Sequence, residues 1–452
     1  MTTKNRYIAI IVLITLILLG FLGWWLASGS HSGATGTGGS SSFQKTLQNF
    51  FPFGNPAGTS TAQAQGQGSS GASTGQTINE SGSNAPGILP RLRELSSEPV
   101  AGAGIFSLPI SASLRSTSTS TASSSDFVIY VEKGTGHVYR EYTDSPTQEL
   151  LSATTIPKID TAYVGANRAV AYQYFKSDNE TLETFLGHVA DPVIATTSSS
   201  NTTPASGKVS GIFLPQDIYR FDIGPAGDRI FYLTQGVDSD TGYVANIDGS
   251  KSTQVFSTPL RELDLSWPTT DTVLLNTSPD SSVDGYLFAL DVATKNVSQV
   301  LGGIPGLTAI ANPDLSDYIY SASTFNGFVT HVYKPSTNFD ATTSITTLPE
   351  KCAWSTVNVN IAYCAVPTSI PQAGYPESWY LGDVSFSDNI WKLDLKAGTS
   401  TEILNFSQQS GGQSADMIDL SVSQGDRYLI FTNKKDNILW GYRLTATANG
   451  FI

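Results

Sequence analysis

Residues 224–258 read GPAGDRIFYLTQGVDSDTGYVANIDGSKSTQVFST. Three β-rich runs, DRIFYL, GYVANID and STQVFST, are separated by Gly, Asp and Ser, the composition of strands joined by tight turns. The first run has six counterparts: DFVIYV at 126, NRAVAY at 167, DTVLLN at 271, DYIYSA at 317, NIAYCA at 360 and DRYLIF at 426. With DRIFYL at 228, the successive starts are 41, 61, 43, 46, 43 and 66 residues apart. Four of these intervals lie near 43, the length of one four-stranded propeller blade, so seven blades are expected. The two long intervals carry insertions at 192–208 and 367–387.

Within each unit the order of runs repeats. After the Asp- or Asn-led strand comes a turn and a second run, such as GYLFALD (285), GFVTHVY (327) or NIWKLDL (389). Alternation of apolar and polar residues in GYLFALDVATK and NIWKLDLKAG marks strands with one dry face. LREL occurs at 92–95 and again at 260–263, where it joins an outer strand to the inner strand of the next unit. The unit beginning at Asp426 has room for an inner pair and a third strand. Residues 88–98 are therefore expected to supply its outer strand and clasp the ring, which removes an open sheet edge.

GPAGDRIFYLT (224–234), VSQGDRYLIFT (422–432) and NPDLSDYIYSA (312–322) resemble the Ser-Pro-Asp-Gly-x-x-Ile-x-Tyr/Phe step of TolB-like propellers. GYLFALDVATKNVSQVL and NIWKLDLKAGTSTEIL resemble that family's strand-turn-strand. The resemblance covers 88–452 and implies an all-β, seven-bladed propeller there. It implies little about activity, because many functions share this fold. The chain departs from the family in lacking the helical N-terminal domain of the periplasmic protein and the α/β-hydrolase domain of related peptidases.

Ahead of the repeats, Tyr7 to Leu26 read YIAIIVLITLILLGFLGWWL, 20 residues without a charge. At about 1.5 Å per residue this run matches a hydrocarbon core of roughly 30 Å. Lys4 and Arg6 precede it, no basic residue follows until Lys45, and Trp24 and Trp25 mark its outer end. Residues 1–6 are accordingly expected in the cytoplasm, 7–26 as an uncleaved transmembrane helix, and the remainder outside the membrane, in the periplasm or at the cell surface. Residues 27–87, rich in Gly, Ser, Thr and Gln, read as a flexible linker with a reach of about 40–45 Å. Residues 88–452 form the propeller domain.

Charged residues make up 14% of the chain and its net charge is −13. With no basic cluster, nucleic acid is not an expected partner. The four histidines are scattered and no metal-ligand motif occurs, so neither a metal nor a cofactor is expected. Asp238 and Asp240 have the spacing of a calcium loop, but Asn246 stands where a closing carboxylate belongs; a polar hairpin turn is the alternative. Cys352 and Cys364 flank Val357-Asn358-Val359 in a register that opposes them directly, which predicts a disulfide staple. The 370–386 insertion concentrates Tyr375, Trp379, Tyr380 and Phe386. Such rings are typical partner anchors; equally, they can cover a blade edge or plug the channel. No catalytic residue is nominated. The sequence points to a tethered module that binds or scaffolds an envelope protein or surface polymer. The alternative is a propeller hydrolase or lyase acting on cell-wall or extracellular polysaccharide.

Overall fold

Each Asp-led run packs Val, Ile, Leu, Phe and Tyr without interruption, which suits a strand buried on both faces. In the computed structural model, which describes residues 89–109, 124–165, 168–189 and 207–444, every one of the seven runs is the second strand of a four-stranded antiparallel sheet. The first strand of the chain, β1 (Leu92–Glu94), belongs to the last blade. Blade 1 is β2 (Val100–Pro109), β3 (Ser124–Glu132), β4 (Val138–Tyr142) and β5 (Gln148–Ser152). Blade 2 is β6 (Ile159–Val164), β7 (Ala169–Phe175), β8 (Leu182–Val189) and β9 (Val209–Phe213). Blade 3 is β10 (Ile218–Ile223), β11 (Arg229–Gln235), β12 (Asp240–Asn246) and β13 (Thr253–Thr258). Blade 4 is β14 (Asp264–Ser266), β15 (Thr272–Asn276), β16 (Asp284–Asp291) and β17 (Val297–Pro305). Blade 5 is β18 (Thr308–Ala311), β19 (Tyr318–Thr324), β20 (Gly327–Lys334) and β21 (Phe339–Thr342). Blade 6 is β22 (Cys352–Trp354), β23 (Ile361–Pro367), β24 (Asp388–Asp394) and β25 (Thr399–Leu404). Blade 7 is β26 (Met417–Val422), β27 (Tyr428–Asn433) and β28 (Leu439–Arg443), completed by β1.

First strands of neighbouring blades touch, as β2 does β6, β10 does β14 and β22 does β26, so they line the centre of the ring. The core lies between blades: an apolar cluster fills each of the seven junctions, the last joining Leu95, Val128 and Tyr130 to Ile430 and Leu439. Closure is as expected. Leu92, Arg93 and Glu94 pair with Tyr442, Gly441 and Trp440, and the Leu95 N–H continues the ladder to the Leu439 carbonyl at 2.8 Å. The two LREL copies therefore differ in role, the first being largely strand and the second a connection between β13 and β14.

Cys352 and Cys364 are paired across β22 and β23 and form a disulfide, their Cα atoms 4.0 Å apart. Among the described residues no helix is long and apolar enough to cross a membrane; the expected span at Tyr7–Leu26 and the 27–87 linker lie outside them.

Candidate functional site

Asp264, at the start of β14, pairs with Asn276, at the end of β15. Connections that enter an inner strand and connections between second and third strands consequently open on the same end of the ring. The chemistry gathers at this end, on blades 3 to 6.

A pocket of about 490 Å³ opens there between Arg220 of β10, Asp264–Ser266 of β14, Thr308–Ile310 of β18 and Glu350, in the turn before β22. The Arg220 guanidinium reaches Asp264 at 2.6 Å. Burial works against the Arg220 charge, but Asp264 more than offsets it and holds the group above its usual range. Across the pocket, Glu350 accepts hydrogen bonds from the Tyr380 hydroxyl and from Thr308 Oγ1, the latter at 3.0 Å. Burial raises the Glu350 carboxyl above the usual carboxylate range; these donors pull it down and the charge of Asp264 adds to the rise. Burial and then the Glu350 charge push the Tyr380 phenol well up. Tyr380 still keeps 42% of its area open.

Deeper in the channel the wall stays acidic. Asp222 of β10 accepts backbone N–H bonds from Ile223 (2.8 Å) and Trp267 (3.0 Å), and burial pushes its carboxyl up to about 6. Asp419 stands at a bulge of β26 with φ 53° and is likewise raised by burial. Burial, followed by the field of Asp222, lifts the phenol of Tyr163 on β6.

At this end of the ring the same blades expose apolar side chains. Val237 and Phe325 are each 91% exposed and Leu381 77%, with Val283 and Leu260 less so. All five sit on connections at this end of the ring.

The 370–386 insertion divides its four rings. Tyr375, Trp379 and Phe386 are buried together with Phe328 and Leu348, Tyr375 and Phe386 stacking at 5.8 Å. Tyr380 alone of the four turns to the pocket. The segment is a strap across the loop end. Its one-turn helix α1 (Glu377–Tyr380) holds blade 4 through Glu377, which accepts the Ser281 N–H at 3.0 Å. Gln372 donates to Asn326 of blade 5 at 3.0 Å. Trp379 Nε1 donates to Asp416 at the start of blade 7 at 3.0 Å.

Asp416 is also bound by the fully buried Lys351 (2.6 Å), by Ser385 Oγ (3.1 Å) and by the Phe386 N–H (3.0 Å). Burial opposes its charge, but Lys351 and these donors keep the carboxyl below the usual range. Asp388, the second carboxylate on Lys351 at 2.9 Å, has fewer donors, so burial wins and its carboxyl is raised.

Asp240 is buried, and its Oδ2 takes the Tyr219 hydroxyl (2.7 Å) and the Glu262 N–H (3.1 Å). Asp238 is exposed on the turn before β12. No group of three His, Cys, Asp or Glu among the described residues could hold a metal ion.

Sequence reading passed over Arg220, Asp222, Asp264, Asn276, Thr308 and Glu350. A signal existed for three of them. IYRFDI (218–223) places Arg220 and Asp222 at alternate positions of an inner strand, and Asp264 follows the second LREL. Polar residues at period 2 on a strand facing the ring's centre are the mark of a channel wall.

No protein-family model matches the chain, and no curated protein matches its sequence. Solved propellers resemble it in fold. TolB from Acinetobacter baumannii is 12% identical with a TM-score of 0.36, over 70% of this chain and 76% of that one. Oligogalacturonate lyase from Vibrio parahaemolyticus is 11% identical with a TM-score of 0.44, over 71% and 86%. The tricorn protease is 10% identical with a TM-score of 0.44; the match spans 79% of this chain and about a third of that protein (34%).

Proposed function

We propose that this protein is a membrane-tethered, extracytoplasmic propeller that binds an envelope protein or a surface polymer through the loop end of blades 3 to 6. The observation that carries the reading is the pocket at this end, with Glu350, Asp264 and Arg220 on an apolar lining and exposed apolar side chains on connections of the same end. A concave apolar lining with a few convergent polar groups is the usual mark of a binding site. Tethering would raise the effective concentration of the propeller for partners near the membrane. The Tyr7–Leu26 anchor supplies the tether in this reading, and its charge asymmetry gives the orientation. In-cell cross-linking of the full chain tests the idea. Phe325→Ser with Leu381→Ser should abolish the partner adduct without changing the melting temperature, because neither side chain is packed. Adducts that survive this change unaltered would refute the assignment of the face.

One observation favours a second reading, a polysaccharide hydrolase or lyase. A carboxyl raised above its usual range in a pocket, as Glu350 is, suits a general acid. Purified protein incubated with cell-wall and extracellular polysaccharides decides this: cleavage abolished by Glu350→Gln would favour the enzyme.

A further inference from the structure

The pocket at the loop end sets two carboxylates, Glu350 and Asp264, against one guanidinium, Arg220. Glu350 presents a carboxylate whose protein donors are the two hydroxyls of Tyr380 and Thr308. Asp264 presents a second, shared with Arg220. Asn276, 7% exposed, lines the pocket but offers it no donor. Both protons of its amide are committed, one to the Thr277 carbonyl at 2.7 Å and one to the Leu307 carbonyl at 2.8 Å. Its Oδ1 is buried and has no protein partner. Leu265, Leu274, Leu287 and Ile310 form the apolar part of the lining.

A group that suits these walls brings several N–H donors and a positive charge on an aliphatic stem. Lysine and arginine side chains have that form: charged heads that donate and cannot accept, on stems that bury against apolar surface. Apolar side chains exposed on connections of the same end, at Val237, Val283, Phe325 and Leu381, suit the residues flanking such a side chain in a polypeptide. We propose that this pocket takes the ammonium or guanidinium of a lysine or arginine side chain offered by a protein partner seated on the rim. The inference rests on the binding face proposed above and names its ligand.

The test uses the full-length protein and three probes. These are a labelled six-residue peptide with one lysine between leucines, the same peptide with glutamine in place of lysine, and free n-butylamine as competitor. Fluorescence anisotropy should show saturable binding of the lysine peptide that weakens with added salt, and little binding of the glutamine peptide. Glu350→Gln should weaken the lysine peptide at least tenfold with an unchanged melt. Asp264→Asn is the second variant should Glu350→Gln unfold. Butylamine should compete far more weakly than the peptide, since it lacks the rim contacts. Equal binding of the lysine and glutamine peptides, or wild-type affinity in both variants, overturns the proposal. Butylamine that binds as tightly as the peptide overturns its assignment to a polypeptide. Loss of cross-linked partner in the Phe325/Leu381 variant, with no lysine dependence here, would leave the face standing and remove this inference alone.

Discussion

Asp426, at the head of the second strand of blade 7, shows what an acidic residue can do there. Its carboxylate accepts from Ser355 Oγ (2.5 Å), the Thr356 N–H (2.8 Å), Thr356 Oγ1 (2.9 Å) and Tyr363 OH (3.1 Å), all on the neighbouring blade. Asp126 plays a related part, taking Arg427 from blade 7 and Ser107 within its own blade. The residue thus stitches blades together at the end opposite the pocket. Asp426→Ala strands these donors in a buried site and should cost about 2–4 kcal/mol in urea unfolding. The exposed Asp228→Ala should stay within about 0.5 kcal/mol of wild type. Asp222 invites a different measurement. Its folded-state pKa is raised to about 6, so the folded protein holds this proton more tightly than the unfolded chain. The stability it contributes is present at low pH and lost as pH rises through about 6. Asp222→Asn removes that loss. The variant's stability relative to wild type should therefore rise by roughly 2–3 kcal/mol between about pH 4 and pH 7.5, read from urea curves at the two pH values. A difference that does not change with pH would contradict the assignment.

At the level of elements, the contrast is between what a local pattern encodes and what it does not. Second strands were legible because runs such as RIFYLTQ and YIYSAST are continuous and apolar, with blade faces packed on both sides. The Cys352–Cys364 register was legible because a hairpin fixes it locally. The inner strands of blades 4, 5 and 6 were not: β14 and β22 have three residues each and β18 has four, too short for any period. The strap was half legible. Its aromatic content stood out, but whether the rings face outward depends on Asp416, Lys351 and Phe328, which lie far away in the chain. Trp379 is 4% exposed, with Lys351 and Lys434 over its ring. Trp379→Ala should accordingly cost about 3–5 kcal/mol and lower the thermal midpoint. Tyr380→Phe, which loses only a hydroxyl at the pocket, should melt close to wild type. A mild effect at Trp379 would mean that the strap does not hold the blades.

For the whole molecule, the decisive element is the three-residue strand that closes blade 7. Leu92 packs into the junction of blades 6 and 7 and Leu95 into that of blades 7 and 1, while Arg93 reaches Glu141 and the Tyr142 carbonyl of blade 1. Removing residues 89–98 should lower the melting temperature far more than removing residues 60–80, because only the first deletion opens a sheet edge and two apolar junctions. Similar melts for the two deletions would show that the ring closes without its N-terminal strand.

The placement of that strand also has a mechanical consequence. The chain enters β1 from the end of the ring opposite the pocket, and β1 runs along blade 7 towards the pocket end. Tension between whatever holds the chain before Leu89 and a ligand held at the loop end would act along β1, at right angles to its hydrogen bonds with β28. Those bonds would be sheared together instead of being peeled apart one after another. Such a pull would load the seam that closes the ring in the direction in which that seam resists best.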